Sequence, residues 1–249
     1  MAIKFEFTGK RFVVTGASSG IGRKITLDLA ENGAEVLAIG RREERLDDLR
    51  SKYPQNIIAA AIDVNDFINL KIELEKFGAE RTIDGSIHAA GINKFTPLRA
   101  FNWSDAENII KTSLYAGIEL VRILSSKKLS SPTGSHVIIA SVAGIKGEIG
   151  FTAYSAAKSA VTGAVRSIAL ELAIKDIRVN TITPGWLQTE MTDAIEARYP
   201  GRLETIKLLH PLGIGSVEDI SNLLMFLLSE ESKWITGSNI VIDGGYSIR

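Results

Sequence analysis

The stretch Thr15-Gly16-Ala17-Ser18-Ser19-Gly20-Ile21-Gly22 joins a short apolar run to a longer amphipathic run, and it decides the fold class. We interpret Phe12–Thr15 as a buried strand and Ile21–Asn32 as a helix, so these eight residues form the turn between them. A turn this tight needs glycine, because side chains would keep a phosphate group away from the backbone. The helix then offers free N–H groups and the positive end of its dipole. The stretch therefore predicts a phosphate-binding turn, although a plain glycine-rich connection has the same composition.

The alternation of short apolar runs with longer amphipathic runs continues along the chain. Six further strands are predicted at Glu35–Ile39, Ile57–Ile62, Gly85–Ala89, His136–Ser141, Arg178–Thr183 and Asn239–Ile242. The helices predicted between them are Glu43–Lys52, Ile68–Phe77, Trp103–Leu124, Ala153–Ile174 and Val217–Leu228. Strands separated by helices favour a parallel sheet with right-handed crossovers. We therefore predict an α/β protein with one Rossmann-fold domain over residues 1–249, a seven-stranded parallel sheet and helices on both faces.

The composition excludes several classes of protein. The chain has no cysteine, which rules out disulfides, thiolate catalysis and cysteine-bound metals. Its three histidines (His88, His136 and His210) share no metal-ligand spacing. The 29 basic and 29 acidic residues give zero net charge, hence no general attraction to nucleic acid or anionic membranes. With no signal peptide and no apolar run long enough to span a bilayer, we expect a cytoplasmic protein.

One long segment, Trp186–Gly215, breaks the alternation of strands and helices. It follows Pro184-Gly185, which turns the chain sharply after the sixth strand, and it contains Pro200-Gly201 and His210-Pro211. Long irregular insertions in compact domains are often functional. We predict that residues 186–215 form a lid over a substrate site.

Tyr154 and Lys158 are candidate catalytic residues because their spacing of four places them on one face of a helix. A lysine ammonium beside a phenol favours the phenolate, so we expect the Tyr154 pKa to be lowered. Tyr154 would then serve as a general acid or base. Ser141, thirteen residues earlier at the end of the fifth strand, has a hydroxyl suited to orienting a substrate oxygen. An isolated pair of this kind is more often a solvated helix face.

The glycine-rich turn, Ser141 and the Tyr154/Lys158 pair together resemble the short-chain dehydrogenase/reductase family, and the resemblance runs from Gly9 to Gly245. Within the family, the chain is most similar to β-ketoacyl-acyl-carrier-protein reductases. The resemblance implies a nicotinamide-dependent oxidoreductase that interconverts a carbonyl and a secondary alcohol. It also implies the cofactor-binding residues, which are Gly16, Ser18, Ser19, Gly20, Ile21, Gly22, Asp63, Val64, Ala90, Gly91, Tyr154, Lys158, Pro184, Gly185, Leu187 and Thr189. For Asp63 and Thr189, a simple cap of the following helix is the alternative.

The end of the second predicted strand, Gly40-Arg41-Arg42, bears on which nicotinamide is used. In a dinucleotide fold, an acid at this point binds the ribose 2′-hydroxyl, and arginine accommodates a 2′-phosphate. Gly40 stands where NAD-preferring relatives carry an acid, and Arg41 is able to bind a phosphate in a bidentate manner. We therefore predict NADP(H) in preference to NAD(H). The alternative is that Arg41 and Arg42 merely begin a solvated helix.

Two positions depart from the family pattern. The fourth strand of relatives usually ends Asn-Asn-Ala-Gly, whereas this chain has His88-Ala89-Ala90-Gly91, and we interpret His88 as structural. Relatives also carry a catalytic asparagine that places a proton-relaying water near the lysine. Ser113 takes that position here. A serine hydroxyl is expected to hold such a water less rigidly.

Two substrate classes fit the sequence, a carrier-bound 3-oxoacyl thioester and a small molecule such as a sugar or polyol. Lys128 and Lys175 stand approximately where carrier-dependent reductases have docking arginines. The resemblance implies a homotetramer or homodimer. A non-catalytic cofactor sensor or scaffold is the competing class, and the Ser113 substitution is its only support.

Overall fold

The computed structural model describes residues 5–189, 192–193, 196–197 and 201–249. Its strands are β1 Arg11–Thr15, β2 Glu35–Gly40, β3 Ile57–Ala61, β4 Ile83–His88, β5 Ser130–Ile139, β6 Arg178–Pro184 and β7 Asn239–Ile242. Its α-helices are α1 Gly20–Glu31, α2 Glu43–Lys52, α3 Phe67–Phe77, α4 Trp103–Ile110, α5 Ala116–Leu124, α6 Thr152–Ala173, α7 Arg202–Leu209 and α8 Val217–Leu228. The predicted alternation of strands and helices is confirmed.

The seven strands form one parallel sheet in the order β3-β2-β1-β4-β5-β6-β7. The chain first adds strands on one side of β1 and then crosses to add β4 on the other side. Loops after β1 and β4 therefore diverge, which leaves a crevice at the carboxyl ends of these strands. The predicted Rossmann-type sheet is confirmed, and this crevice is where a ligand is expected.

Apolar strand residues are buried on both faces of the sheet. Successive strand residues point to opposite faces, and Val13 and Val14 in β1 are both fully buried. Val14 packs with residues of α1, α2 and α8, whereas Val13 packs with residues of α3 and α5. A third cluster joins β5 and β6 to α6. Because helices cover both faces of the sheet, the loops at the strand ends are left to form a ligand site.

The prediction of one continuous helix over Trp103–Leu124 is wrong in the middle of that range. Residues Lys111–Tyr115 form a π-helical turn between α4 and α5, in which the Ala116 N–H donates to the Lys111 carbonyl, five residues earlier. Residues 103–110 and 116–124 each have helical periodicity, and the pattern of such short segments does not show how the hydrogen bonds close between them. This π turn contains Thr112 and Ser113, so the difference falls at a predicted site residue.

The predicted fifth strand also differs at its ends. β5 begins at Ser130 and ends at Ile139, and Ser141 begins a short 3₁₀ helix at Val142–Gly144 by accepting a hydrogen bond from the Ala143 N–H at 3.2 Å. In the predicted lid, α7 lies between Gly201 and His210, and residues 190–191, 194–195 and 198–200 lie outside the described part of the chain. None of the described helices combines the length and apolar character needed to cross a membrane.

Candidate active site

A cleft of about 510 Å³ opens at the carboxyl ends of the strands, along the crevice between the β1 and β4 loops. This volume is within the usual range for small-molecule sites. The cleft collects the predicted cofactor-binding residues from segments distant in sequence. Those that line it are Gly16, Ser18, Ser19, Gly20, Ile21, Gly22, Arg41, Arg42, Asp63, Val64, Ala90, Gly91, Tyr154, Lys158, Pro184, Gly185, Leu187 and Thr189, together with Ser141. Ser113 is not part of the lining.

The glycine-rich turn has no room for side chains at two positions. A Cβ atom on Gly16, whose φ is +70°, would lie 2.7 Å from the Ala90 nitrogen, and one on Gly22 would lie 2.3 Å from the Gly16 carbonyl oxygen. The β1 turn, the β4 loop and the start of α1 are therefore packed backbone to backbone. Ser19 precedes α1 without a side-chain cap, so the first N–H groups of the helix face the cleft uncapped by it. This geometry fits a pyrophosphate group.

The end of β2 carries no side chain at Gly40, and Arg41 and Arg42 line the cleft just beyond it. The Arg42 guanidinium donates to the Ser18 hydroxyl at 3.1 Å and thereby lies against the glycine-rich turn. A Cβ on Gly40 would approach the Ser18 side chain to 3.3 Å, so β2 and the turn are close neighbours. Positive charge thus lies where an adenosine ribose would meet β2.

The hydrogen bonds at Asp63 and Thr189 bear on whether either residue caps the helix that follows it. The Asp63 carboxylate accepts from the Asn65 N–H at 2.8 Å, and Asp66 is the residue that caps α3. The Thr189 N–H donates to the Thr192 hydroxyl at 2.8 Å, and both residues line the cleft. Asp63 is therefore not the cap of the following helix.

Tyr154 and Lys158 lie one turn apart on α6, and both face the cleft with Ser141. Lys158 is 4% exposed, and its Nζ donates to the Ile139 carbonyl at 2.7 Å. The ammonium lies 5.6 Å from the centre of the Tyr154 ring. The side chains on α6 and the β5 loop thus bring a phenol, a hydroxyl and a buried cation to one wall of the cleft.

The expected lowering of the Tyr154 pKa is not what the geometry gives. Burial raises the pKa of Tyr154, and a hydrogen bond with Ser141 offsets this only in part. Burial also lowers the pKa of Lys158 to about 8, because the ammonium loses its hydration. The Lys158 ammonium donates to the Ile139 carbonyl, and burial is the larger influence on the Tyr154 pKa. Tyr154 is accordingly a neutral phenol, a form suited to donating a proton.

Ser113 is fully buried within the π turn, and its hydroxyl has no hydrogen-bond partner among the described residues. A Cβ on Gly91 would lie 3.8 Å from the Ser113 Oγ and 3.6 Å from the Lys158 Nζ, so both polar atoms border the space beside Gly91. A buried hydroxyl without a partner is costly unless water satisfies it. The serine hydroxyl and the lysine ammonium therefore border one space beside Gly91.

Further polar and aromatic residues line the cleft beside the proposed catalytic and cofactor-binding groups. Asn93, Asn108 and Glu148 line the cleft, and Glu148 accepts a hydrogen bond from the Tyr246 hydroxyl near the chain end. The Tyr154 ring packs edge-on against Phe151, with ring centres 6.1 Å apart. Polar residues in loops carry no periodicity, and the Glu148–Tyr246 contact spans 98 residues, so no local signal marks it.

The proposed carrier-docking lysines lie elsewhere. Lys128 lies two residues before β5 and Lys175 three residues before β6. The Lys175 Nζ donates to the Ser125 carbonyl at 3.2 Å. The two loops therefore meet at the amino ends of the strands, at the opposite edge of the sheet from the cleft. Within one chain these lysines do not flank the opening of the cleft.

The sheet order, the phosphate-binding turn and the phenol–lysine–serine wall define a nicotinamide-dependent oxidoreductase of the dinucleotide-binding α/β class. A family model described as enoyl-(acyl carrier protein) reductase matches residues 16–247. The chain belongs to the short-chain dehydrogenase/reductase family and interconverts carbonyls and alcohols with NAD(P).

Individual relatives cover nearly the whole chain. The 3-oxoacyl-[acyl-carrier-protein] reductase FabG of Thermotoga maritima is 34% identical over 96% of this chain and 98% of its own length. The Escherichia coli FabG is 32% identical over 96% of this chain and 98% of its own length. Among solved structures, one similar to this chain is named a putative NAD(P)-dependent gluconate 5-dehydrogenase from Beutenbergia cavernae, with NADP bound at low occupancy. It is 31% identical, with a TM-score of 0.91, and the match covers 99% of this chain and 100% of that one. These names span acyl-carrier and sugar-acid substrates, so membership defines the chemistry more closely than the substrate.

Proposed function

We propose that the protein is an NADP(H)-dependent reductase of 3-oxoacyl thioesters. The observation that carries the chemistry is that Ser141, Tyr154 and Lys158 share one cleft with the phosphate-binding turn. The full-length similarity to 3-oxoacyl-[acyl-carrier-protein] reductases supports the substrate class. As those relatives are named for a carrier-bound substrate, we extend the proposal to carrier-bound thioesters.

The bound nicotinamide would supply a hydride to the substrate carbon. In this reaction the Ser141 hydroxyl orients the carbonyl oxygen, and the Tyr154 phenol donates the proton that the developing alkoxide needs. Lys158, whose pKa of about 8 keeps it largely protonated at neutral pH, supplies a buried positive charge beside them. Ser113 borders the space through which a water would link Lys158 to the helix interior.

NADP(H) rather than NAD(H) is proposed from the end of β2. Gly40 leaves no carboxylate to repel a 2′-phosphate, and Arg41 and Arg42 both line the cleft at this point. A carboxylate at this position would instead favour the free ribose hydroxyls.

Replacing Arg41 with alanine is expected to raise the Kd for NADPH by about 10- to 100-fold, the usual value of a charge-assisted phosphate contact. The Kd for NADH should change by less than about threefold. Intrinsic fluorescence titration with each cofactor measures this. Arg50→Ala is the matched control, since Arg50 lies on α2, the helix that follows Arg41, bonds to Asp47 and does not line the cleft. Equal losses for the two cofactors would refute the role of Arg41.

A sugar or polyol is the second candidate substrate class. The Glu148 carboxylate in the cleft is a good acceptor for hydroxyl groups. One structure that resembles this chain is named gluconate 5-dehydrogenase. Another, from Brucella melitensis, is named glucose/ribitol dehydrogenase. It is 29% identical, with a TM-score of 0.88, and the match covers 98% of this chain and 99% of that one.

The substrate class is tested by NADPH oxidation with acetoacetyl-CoA, acetoacetyl-acyl carrier protein and a panel of keto-sugars. We expect kcat/KM for a thioester to exceed that for any keto-sugar by at least about tenfold, the discrimination that an acyl-binding cleft provides. A higher kcat/KM for a keto-sugar would select the second class. Absence of nicotinamide binding would contradict both.

A homotetramer or homodimer is also proposed, from the family resemblance. Large apolar side chains are exposed at Leu170 on α6, at Ile174 just after it, and at Trp234 before β7. Burying such surfaces against a second copy would be favourable.

A further inference from the structure

His88, at the end of β4, is completely buried yet makes two hydrogen bonds to other segments. Its Nε2 lies 2.9 Å from the Thr112 carbonyl oxygen in the π turn, and its Nδ1 lies 2.8 Å from the Thr15 hydroxyl oxygen at the start of the glycine-rich turn. A carbonyl only accepts, so the Nε2 carries the proton and the Thr15 hydroxyl donates to Nδ1. Both ring nitrogens of a neutral imidazole are thus used.

The contact to Thr112 meets the helix where its hydrogen-bonding pattern changes. The Ala116 N–H bonds to the Lys111 carbonyl, five residues earlier, so the carbonyls of this turn are displaced from their α-helical positions. π turns inside helices are frequently found at functional sites, and a buried carbonyl in one is stabilised by a hydrogen-bond partner. The imidazole N–H is such a partner for the Thr112 carbonyl.

The ring fits closely against the helix at Gly117. A Cβ on Gly117 would lie 3.0 Å from the His88 Cδ2, so a side chain there would push the ring away. On the other side, the Thr112 hydroxyl accepts from the Asn65 side chain at 2.8 Å. Thr112 is therefore held from two directions, by β4 and by the loop that carries Asp63.

Holding Thr112 fixes the next residue, Ser113. The Ser113 Oγ is buried and has no hydrogen-bond partner among the described residues, and it borders the same space as the Lys158 Nζ. Relaxation of the π turn to a regular helix would rotate this side chain by a large fraction of a turn, since each residue along an α-helix advances by about 100°.

We propose that His88 is a positioning residue: by donating to the Thr112 carbonyl it maintains the π turn that presents Ser113 to Lys158. This role rests on the proposed function, in which Lys158 supplies charge to the Tyr154 wall of the cleft. It revises the interpretation of His88 as a residue of purely structural importance.

The chain provides a matched control in His136 on the neighbouring strand β5. His136 is as buried as His88, and its Nδ1 lies 2.9 Å from the Ser86 hydroxyl oxygen. None of the hydrogen bonds that its ring makes with described residues reaches the π turn. A general effect of losing a buried histidine should appear at both positions, and an effect on the π turn only at His88.

The test compares His88→Leu, His88→Gln and His136→Leu in the full chain. Hydrogen exchange of the amides in residues 111–117, read by mass spectrometry, needs no substrate. We expect His88→Leu to speed this exchange by about tenfold or more, because the π turn loses its partner. His88→Gln, whose amide N–H reaches a similar point, should restore slow exchange. His136→Leu should leave these amides unchanged even if the midpoint of thermal unfolding falls.

The second readout is turnover of acetoacetyl-CoA against pH. His88→Leu should lower kcat about tenfold or more with KM little changed, as expected for a misplaced catalytic group. The pH profile of its kcat should also differ from that of the unmodified chain, because the Ser113 Oγ and the Lys158 Nζ border one space beside Gly91. His88→Gln should restore both.

Unchanged exchange at 111–117 in His88→Leu, or equal acceleration in His136→Leu, would overturn the role of His88. Failure of the proposed function looks different: the unmodified chain would not turn over any thioester or keto-sugar, while the exchange result would still decide the role of His88. A wild-type enzyme that works, with His88→Leu at full kcat, would also reject the inference and leave the proposed function intact.

Discussion

Tyr154→Phe is expected to lower kcat for carbonyl reduction by about 10³-fold, within the range of general acid catalysis. The phenylalanine ring keeps the packing against Phe151 but has no proton to give to the substrate oxygen. Because burial holds the pKa of Tyr154 above its ordinary value, the phenol of the unmodified protein remains a proton donor throughout the neutral range. Steady-state NADPH oxidation measures the loss.

Cofactor binding should survive this substitution, since the glycine-rich turn and Arg41 are untouched. The Kd for NADPH is expected to stay within about twofold of the unmodified value. Tyr53→Phe is the matched control, because Tyr53 ends α2 and does not line the cleft. Full activity of Tyr154→Phe, or a parallel loss in Tyr53→Phe, would contradict the assignment of the acid.

Acid is expected to destabilise the fold strongly between pH 6.5 and about 4.5, through two buried histidines. Burial is the main cause that lowers the pKa of His88 to about 4, with the nearby Lys158 charge adding to it. Burial likewise lowers the pKa of His136 to about 4, and the Arg178 charge adds to it. The unfolded chain, with histidine pKa values near about 6.5, binds these protons first. Stability is therefore fully present above pH 6.5 and is lost as pH falls toward 4.

Each histidine would remove about 3 kcal/mol of unfolding free energy over this interval. Two such losses are comparable to the total stability of an ordinary domain, about 5–15 kcal/mol. Urea unfolding at pH 7.5, 5.5 and 4.5, at fixed protein concentration, measures the slope of this free energy with pH. In His136→Gln the slope should be about half that of the unmodified chain, whatever the stability at pH 7.5. An unchanged slope would show that His136 takes up its proton without unfolding.

Much of the fold could be predicted because its signals are local. Apolar runs of strand length alternate with amphipathic runs, and the glycines at 16, 20 and 22 mark the turn that joins β1 to α1. The Tyr154/Lys158 pair could also be predicted from the sequence, since two residues four apart on a helix share a face whatever the rest of the molecule does.

Other features of the site depend on contacts between distant segments. The Tyr154 pKa was expected to fall, yet the Lys158 ammonium bonds to the Ile139 carbonyl on β5, and burial dominates. Lys128 and Lys175 were candidates for carrier docking, yet chain topology places both at the amino ends of strands. Spacing along the chain indicates neither the direction of a side chain nor the edge of the sheet on which a loop lies.

The sequence by itself determined the order of strands and helices, the phosphate-binding turn and the identity of the phenol–lysine pair. Each follows from the pattern of residues within one segment of the chain. Only the tertiary structure decided the burial that raises the pKa of that phenol, the π turn at Lys111–Tyr115 and the link from His88 to Thr112. These depend on desolvation and on hydrogen bonds between strands and helices that are far apart in the chain, and such energies exist only once the core has formed.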